Sequence, residues 1–360
     1  MDMPAVPPPR KGRGAVTNAS GRFEREERVA FDDGWGSADA EPMPLQTRLS
    51  VDATRTIIAR NNSPDIGFDR SINPYRGCEH GCIYCYARPS HAFLGLSPGL
   101  DFESRIFYKP QAATLLAAEL SRKGYACKPI ALGSNTDPYQ PVERKLGIMR
   151  SILEVLRDFR HPVTIVTKSA LVQRDIDILS DMAAEKLAVV AVSVTTLDRH
   201  LARVMEPRAS TPERRLETIA ALVKAGIPTG IMAAPMIPAL NDSEMEAILE
   251  RGRAAGAVTA AYTMLRLPLE LKALFKEWLE EHAPNKAAHV LSLVAQAHGG
   301  RLYDSAWSNR MIGSGPYVAL LASRFDKACR RLGFRRRDIE VLDSTKFRPP
   351  PRAGDQLALF

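Results

Sequence analysis

Cysteine is scarce in this 360-residue chain, with five in all, and three of them lie between positions 78 and 85. Five cysteines cannot build the dense disulfide framework of a small secreted protein. No apolar run approaches the ~20 residues that a membrane span requires. The N-terminus also lacks the charged and apolar regions of a signal peptide. The sequence therefore predicts a cytoplasmic protein without a membrane partner.

Acidic residues are fewer than basic ones, 41 against 49, which gives a net charge of +8. Part of the excess is concentrated near the C-terminus. A basic block of this kind can neutralise phosphates, but it is equally typical of a solvated helix face and tail. Both interpretations stay open. The block contains Arg330, Arg331, Arg335, Arg336, Arg337, Lys346, Arg348 and Arg352.

The clustered cysteines, Cys78, Cys82 and Cys85, follow the spacing C-x3-C-x2-C. One loop with this spacing can bring three thiolates to a single metal centre. A cubane [4Fe-4S] cluster usually takes four Cys ligands, so three would leave one iron free to bind a small molecule. The alternative is a structural zinc site with His80 or His91 as fourth ligand, although zinc loops usually place their cysteines in two separated pairs.

Short β-branched runs alternate with helical patterns from residue 70 onward. This alternation predicts an α/β fold with a parallel sheet. One helix is expected from Pro212 to Ala225, capped by Thr211 and followed by Gly226. Later helices are expected at 269–281, 284–298 and 317–332. The predicted strands are 70–75, 128–133, 163–167, 189–195, 228–234 and 258–264.

The cysteine array resembles that of the radical S-adenosylmethionine (SAM) superfamily, which reads C-x3-C-x-aromatic-C, with Tyr84 in the aromatic position. The resemblance implies a [4Fe-4S] cluster whose free iron chelates SAM. One electron, from a donor such as flavodoxin or ferredoxin, then cleaves SAM to a 5'-deoxyadenosyl radical. The resemblance also implies a partial (β/α)6 TIM-type barrel, which matches the six βα repeats.

The expected organisation has four parts. A flexible basic arm, 1–55, precedes the partial barrel, 56–268. A C-terminal helical cap, 269–340, closes the open side of the barrel. A flexible tail, 341–360, ends the chain, because its proline-rich composition is typical of a linker.

Barrels of this kind carry their chemistry on the loops at the carboxyl ends of the strands. The residues there are therefore the expected SAM contacts. Each has an alternative: a turn without ligand for Gly133 and Ser134, an ion pair with Glu206 for Arg215, and core packing for Met232. Lys168 at the end of the third strand either meets a carboxylate or phosphate, or is solvent-exposed. The predicted SAM contacts are Tyr84, Gly133, Ser134, Ser193, Arg215 and Met232.

Three segments narrow the resemblance to the spore photoproduct lyase branch, often described as DNA-repair-photolyase-like: 82–88, 136–141 and 235–242. This implies a substrate in damaged or modified DNA. The chain departs from that lyase at 134–136, where Ser-Asn-Thr stands in place of a hydrogen-donor cysteine. Tyr86 or Tyr139 could relay a hydrogen atom instead, although packing in a core or loop is the commoner role of a tyrosine.

The last five residues, Gln-Leu-Ala-Leu-Phe, resemble the pentapeptide by which bacterial repair proteins bind the sliding clamp. Such a peptide places a polar side chain at a groove edge and apolar side chains in pockets. The alternative is that these residues fold back onto the barrel. The predicted clamp contacts are Gln356, Leu357, Leu359 and Phe360.

Two other functions stay open. One is a cluster-bearing binding or sensor protein that is recruited to the clamp without turnover. The other is a radical SAM enzyme that acts on RNA or protein.

Overall fold

The computed structural model describes residues 11–26, 44–307, 309–335 and 342–350. Within them, a seven-stranded sheet forms the centre of the molecule, in the order β10-β9-β8-β7-β6-β3-β2. All neighbours in this sheet are parallel except β2 and β3. Its strands are β2 Ile58–Arg60, β3 Arg70–Ile72, β6 Ile130–Leu132, β7 Val163–Thr167, β8 Ala188–Ser193, β9 Thr229–Met236 and β10 Thr259–Met264. A small second sheet contains β1 Arg48–Val51, β4 Tyr75–Arg76 and β5 Arg105–Tyr108.

Helices connect the parallel strands and cover the sheet. Two of them illustrate the connection: α4 leads into β7, and α7 leads into β9. In the part of the chain that the structure describes, short 3-10 helices lie at Arg88–Leu94, Ala170–Asp175, Asp242–Glu244 and Ser344–Lys346. The α-helices are α1 Leu100–Ser104, α2 Ala112–Leu120, α3 Glu143–Leu146, α4 Ile148–Asp158, α5 Ile176–Ala184, α6 Arg199–Met205, α7 Pro212–Lys224, α8 Met245–Ala254, α9 Leu271–His282, α10 Pro284–Ala297, α11 Asn309–Ile312 and α12 Pro316–Leu332.

Local sequence explains the bounds of α7, which agree with the prediction to one residue. Thr211 accepts a hydrogen bond from the Arg214 amide and caps the helix, and Pro212 takes the first helical position. Leu216, Ile219 and Leu222 lie on its buried side. The helical spacing of these apolar side chains therefore orients the helix against the sheet.

The six parallel strands form an open, partial barrel with β10 at one edge. All six overlap the predicted ranges, but the first one is shorter. The prediction spans 70–75, whereas β3 ends at Ile72 and Tyr75 begins β4 in the other sheet. Pro74 explains the break, because proline has no N–H to donate to a ladder.

The C-terminal helices lie against the edge of the sheet formed by β10, where α11 contacts β10 and α12 packs on α8, and their role as a cap domain stays a prediction. Arg310 in α11 forms an ion pair of 2.7 Å with Asp65, which follows β2. It therefore connects the helical region to the far edge of the sheet. In α9, Trp278 packs in one buried cluster with Ile83 and Tyr84 of the cysteine loop. Helix α9 thus supports the loop that holds the cysteines.

The expected flexible arm is partly held against the rest of the protein. Ala15 and Val16 are buried, and Arg13 donates to the carbonyl oxygens of Glu103 and Leu45 at 2.7 and 2.6 Å. Strand β1 pairs with β5. The expectation of flexibility fails at these residues, because small side chains followed by Val16 can enter a tight contact.

The tail also departs from expectation in its described part, 342–350. Phe347 lies among the rings of Tyr125, Phe159 and His161, at centroid distances between 5.3 and 6.4 Å. The Arg348 amide donates to the Phe159 carbonyl at 3.0 Å. An aromatic anchor therefore fixes this segment, which composition alone assigned to a linker. The predicted clamp peptide lies outside the described residues.

Of the helices described, none is both long enough and apolar enough to span a membrane.

Candidate active site

The three clustered cysteines lie on one compact loop between β4 and the 3-10 helix that begins at Arg88. Tight turns fold it: the Gly81 amide donates to the Cys78 carbonyl at 3.3 Å, and the Cys85 amide donates to the Cys82 carbonyl at 3.2 Å. Cys78 and Cys82 are buried, and Cys85 is partly exposed. All three are free thiols. The loop therefore presents three unpaired sulfur ligands.

Burial raises the pKa of all three thiols. The pKa of Cys78 is raised further by the neighbouring Asp137 carboxylate and by Cys82 and Cys85, so the three sulfurs lie close enough to influence one another. Metal ligation needs thiolates, so loading this loop releases protons. A bound centre of high positive charge would stabilise the thiolates and so lower the thiol pKa values that burial raises.

The zinc alternative gains no support from the geometry. Among the described residues, no three His, Cys, Asp or Glu side chains are arranged to hold a single metal ion. His91 packs edge-on against Phe102 and Phe107, at 5.5 and 6.2 Å, and burial lowers its pKa to about 4. A cubane holds its ligands further apart than one ion does, and it accepts Cys ligands at its corners. The donor set fits three corners of such a cluster.

Arg88 is fully buried and supports the cysteine loop from behind. Its guanidinium donates to the carbonyls of Gly81 and Cys82 at 3.0 and 2.9 Å, and it also pairs with the buried Glu103. A buried, fully bonded pair of this kind fixes one arrangement of the backbone. The loop geometry therefore depends on Arg88.

The N-terminal segment completes this support. The amides of Gly14 and Ala15 donate to the two Glu103 carboxylate oxygens at 2.9 and 2.8 Å. A Cβ at position 14 would lie 1.9 Å from the Gly81 carbonyl oxygen, so only glycine fits there. The segment thus lies directly on the cysteine loop, which motif analysis did not reveal.

A buried polar network lies on the other side of the loop, at the carboxyl end of β8. Tyr84 and Thr195 both bond the Glu206 carboxylate, the latter at 2.7 Å. Arg215 pairs with the same carboxylate and donates to the carbonyls of Ser193 and Ser210 at 3.1 and 2.7 Å. Arg215 therefore forms the ion pair with Glu206 that was the alternative to SAM binding. The Arg215 guanidinium is already occupied by these partners.

Lys168 is a cation that interacts electrostatically with Cys82 and Cys85. Its ammonium donates to the Ser193 hydroxyl at 3.0 Å and lies 5.6 Å from the centre of the Tyr84 ring. Burial lowers its pKa, whereas Cys82 opposes that shift. The side chain is 18% exposed. A partly accessible ammonium beside three thiols can bind the carboxylate of a small ligand.

The neighbouring strand end is shaped by Gly133 and Asp137. Gly133 has φ +84°, and a Cβ there would meet the Val166 carbonyl oxygen at 2.1 Å. Asp137 accepts from the Lys168 amide at 2.8 Å and lies 3.4 Å from the His80 ring nitrogen. Burial alone would raise the pKa of Asp137, but His80 and the bonded amides lower it to about 2. A permanent carboxylate thus ties the loop to β6 and β7.

The predicted SAM contacts fall into two groups. Tyr84, Ser193 and Arg215 belong to the network around Glu206, and Met232 is the partner of Ser193 in the register of β8 and β9. Gly133 and Ser134 lie at the end of β6, where Ser134 is 3.4 Å from the Asn73 side-chain nitrogen. Their contacts with SAM stay predictions.

Sequence reasoning missed several residues of the site. Glu206 entered it only as a rival partner of Arg215, and Thr195 and Asn241 were not singled out as a pair. The Asn241 amide donates to the Thr195 carbonyl at 2.7 Å and is fully buried. The sequence did contain a signal for these residues, since polar residues follow two adjacent strands. Parallel strands end at the same edge of a sheet, so such residues are expected to meet there.

A family model described as the radical SAM superfamily matches residues 72–252. A Mycobacterium tuberculosis protein described as uncharacterized is 36% identical over 234 residues, which cover 64% of this chain and 69% of the relative. A Methanocaldococcus jannaschii protein, also described as uncharacterized, is 28% identical over 213 residues, which cover 59% of this chain and 76% of that relative.

Solved structures show the same fold. Spore photoproduct lyase complexed with dinucleoside spore photoproduct aligns with a TM-score of 0.55 at 13% identity, over 79% of this chain and 78% of that chain. A cysteine-to-alanine mutant of that lyase with the same ligand aligns with a TM-score of 0.56 over the same shares. Together with the three thiols on one loop, these matches show that the chain belongs to the radical SAM superfamily and is a radical SAM enzyme with a [4Fe-4S] cluster and SAM as cofactors.

Proposed function

We propose that this enzyme acts on nucleic acid, with damaged or modified DNA as the substrate. The observation that carries the proposal is a pair of arginine-covered aromatic rings, one of which directly follows Cys85 in the chain. Arg266 lies 4.4 Å from the centre of the Tyr86 ring, and Arg310 lies 4.3 Å from a ring centre of Trp307. Stacked aromatic and arginine groups are the usual contacts of unpaired bases.

The two pairs are connected and accessible. Arg266 donates to the Met311 sulfur at 2.9 Å, next to Arg310 in the chain. Tyr86 is 44% exposed and Trp307 is 56% exposed. Tyr86 directly follows Cys85, so a base stacked there would lie next to the reactive centre. The solved lyase structures, which share this fold, hold a dinucleoside lesion.

The cluster and SAM supply a carbon-centred radical when bound, and the chain's own residues provide its surroundings. Lys168 binds the SAM carboxylate, because its ammonium is accessible beside the cysteine loop. Glu206 accepts a hydrogen bond from the Tyr84 hydroxyl and so holds the Tyr84 ring in place. Residues of α9 pack behind the same loop and exclude water from it.

Tyr86 is better placed than Tyr139 to move a hydrogen atom. Tyr139 is completely buried, whereas Tyr86 is exposed and its hydroxyl donates to the Ser134 carbonyl. A tyrosine hydroxyl with its ordinary pKa of about 10 keeps its hydrogen at neutral pH. This hydroxyl takes the place of a donor thiol, because 134–136 contains no cysteine.

Hydrogen exchange between SAM and substrate tests the substrate class. Enzyme reconstituted without oxygen is given unlabelled SAM together with ultraviolet-damaged DNA, tRNA or a peptide pool, each deuterated at its carbon-bound hydrogens. The proposal expects deuterium to enter the 5' carbon of 5'-deoxyadenosine or of recovered SAM only when the deuterated DNA is present. Exchange with tRNA or peptide alone would instead select the alternative of an enzyme for RNA or protein.

Lys168→Ala is expected to weaken SAM binding by about 10- to 100-fold, which corresponds to loss of one charge-assisted hydrogen bond of roughly 1.5–3 kcal/mol. Equilibrium dialysis with labelled SAM measures this on protein of matched iron content. Lys123→Ala removes the same charge from an exposed position and is the control. Unchanged SAM affinity in Lys168→Ala would remove Lys168 from the cofactor site.

We also propose that the terminal peptide, 356–360, binds the sliding clamp. The support is its pentapeptide pattern and the proline-rich spacer before it. Gln356→Ala is expected to weaken clamp binding at least tenfold from an affinity on the order of micromolar. Calorimetry measures this, with Asp355→Ala as the control just outside the motif. An intact protein that does not bind the clamp would contradict the proposal.

A further inference from the structure

An arginine-lined cavity of about 420 Å³ opens beside the cysteine loop. Among the described residues that line it, none is an Asp or Glu. Its size is that of a pocket for a small organic group rather than for a water molecule. The polar groups that define this arginine cavity are Arg144, Arg174, Arg208, Arg214, His80 and Ser210.

The arginine cavity adjoins the active site without being part of the SAM pocket. His80 lies between the ligands Cys78 and Cys82 on the cysteine loop. Ser169, also in the lining, follows Lys168 at the end of β7. The cavity therefore lies at the same end of the sheet as the three thiols, on the rim of the partial barrel.

Three of the four arginines that line the cavity pair with carboxylates outside its lining. Arg208 pairs with Glu79 at 3.1 Å. Arg174 pairs with the buried Glu143 and Asp175, at 2.7 and 2.9 Å. Arg214 has a surface partner one helical turn away, Glu217 at 2.7 Å. Such an exposed pair is weak and exchanges readily for another anion.

Arg144 adds a cation with capacity for a ligand, because it is exposed and has no ion-pair partner among the residues the structure describes. His80 is 2% exposed, and its Nδ1 lies 3.4 Å from an oxygen of Asp137, which is not part of the cavity lining.

We propose that the arginine cavity binds a backbone phosphate of the nucleic-acid strand whose reacting nucleotide lies in the barrel. The inference rests on the proposed function and assigns a second contact on the same substrate. Guanidinium groups bind phosphate oxygens in a bidentate fork, and the absence of lining carboxylates favours an anion. The concave shape suits a phosphodiester better than the flat acidic surface of an electron-carrier protein.

Binding of a fluorescent single-stranded DNA of about 12 nucleotides, a length suited to one binding groove, tests the proposal. The test variant combines Arg144→Glu with Arg214→Glu, because neither side chain contacts the cysteine loop. Its control combines Arg122→Glu with Arg157→Glu, which changes the net charge equally and lies outside the C-terminal basic block. Both control residues are exposed and lie near the amino ends of the strands, after α2 and at the end of α4.

The test variant is expected to bind DNA about tenfold more weakly than the control at moderate salt. The slope of log K against log salt should fall in magnitude by ~0.7 for each phosphate that the protein no longer neutralises. Thermal melting verifies that both variants fold. Test and control variants with equal affinity and equal slopes would overturn the cavity assignment while leaving the substrate class intact.

Two other outcomes can be distinguished from failure of the cavity assignment alone. Wild-type protein that binds neither DNA nor RNA would overturn the proposed substrate class, and the cavity proposal with it. If the test variant binds DNA normally but binds reduced flavodoxin more weakly than the control does, the cavity holds an acidic protein surface and the phosphate proposal is wrong. Flavodoxin binding is measured by calorimetry and does not depend on catalytic turnover.

Discussion

Cys82→Ala is expected to leave the protein unable to retain a [4Fe-4S] cluster and to abolish SAM cleavage. The loop offers only three sulfur ligands, and the other two cysteines, Cys127 and Cys329, lie elsewhere in the chain. A cubane that already has one corner without a protein ligand cannot keep its iron with two. Iron content per chain and the absorbance near ~400 nm that is typical of such clusters measure the loss.

Cys329→Ala is the matched control, since it removes a partly exposed thiol outside the array. It should retain iron, absorbance and SAM cleavage at the wild-type level. The assignment of the ligands would be contradicted by Cys82→Ala protein with full iron content. A wild-type protein that binds one zinc and never iron would contradict it as well.

Glu103→Ala is expected to lower the free energy of unfolding by about 3–5 kcal/mol, the usual cost of leaving a buried charge without its partner. Arg88 would remain fully buried with its carboxylate partner gone. The amides of Gly14 and Ala15 would lose their acceptors at the same time. The cysteine loop rests on this group of residues, so cluster retention should fall together with stability.

Urea unfolding followed by circular dichroism measures the change, and iron retention under dilution measures its effect on the loop. Glu217→Ala is the control, because it breaks an exposed ion pair that contributes less than about 1 kcal/mol. If both variants show the same stability and iron retention, the N-terminal segment does not support the loop.

The repeated βα pattern could be predicted from the sequence because the spacing of apolar residues and the capping residues determine local structure. Helix α7 and strands β7 to β10 lie where β-branched runs and Thr211 placed them. The arm and the tail could not be read in this way. Ala15 and Phe347 are fixed by contacts with residues far along the chain, and composition carries no information on such partners.

In the candidate site, too, residues with a local sequence signal could be predicted, and residues that depend on tertiary contacts could not. Cys78, Cys82 and Cys85 were found because their spacing is local. Glu206 and Lys168 meet only when the ends of β7 and β8 lie side by side, at 3.9 Å between the charged groups. Arg215 was expected to bind SAM, but its pairing with Glu206 depends on tertiary packing and could not be decided from spacing.

The central claim is that this chain cleaves SAM by radical chemistry at the cysteine loop. The most direct test is to reduce the anaerobically reconstituted wild-type protein with dithionite and to measure 5'-deoxyadenosine and methionine by mass spectrometry. We expect both products in equal amounts, and none from Cys82→Ala. An intact cluster without SAM cleavage would contradict the claim and would favour a cluster-bearing binding or sensor protein.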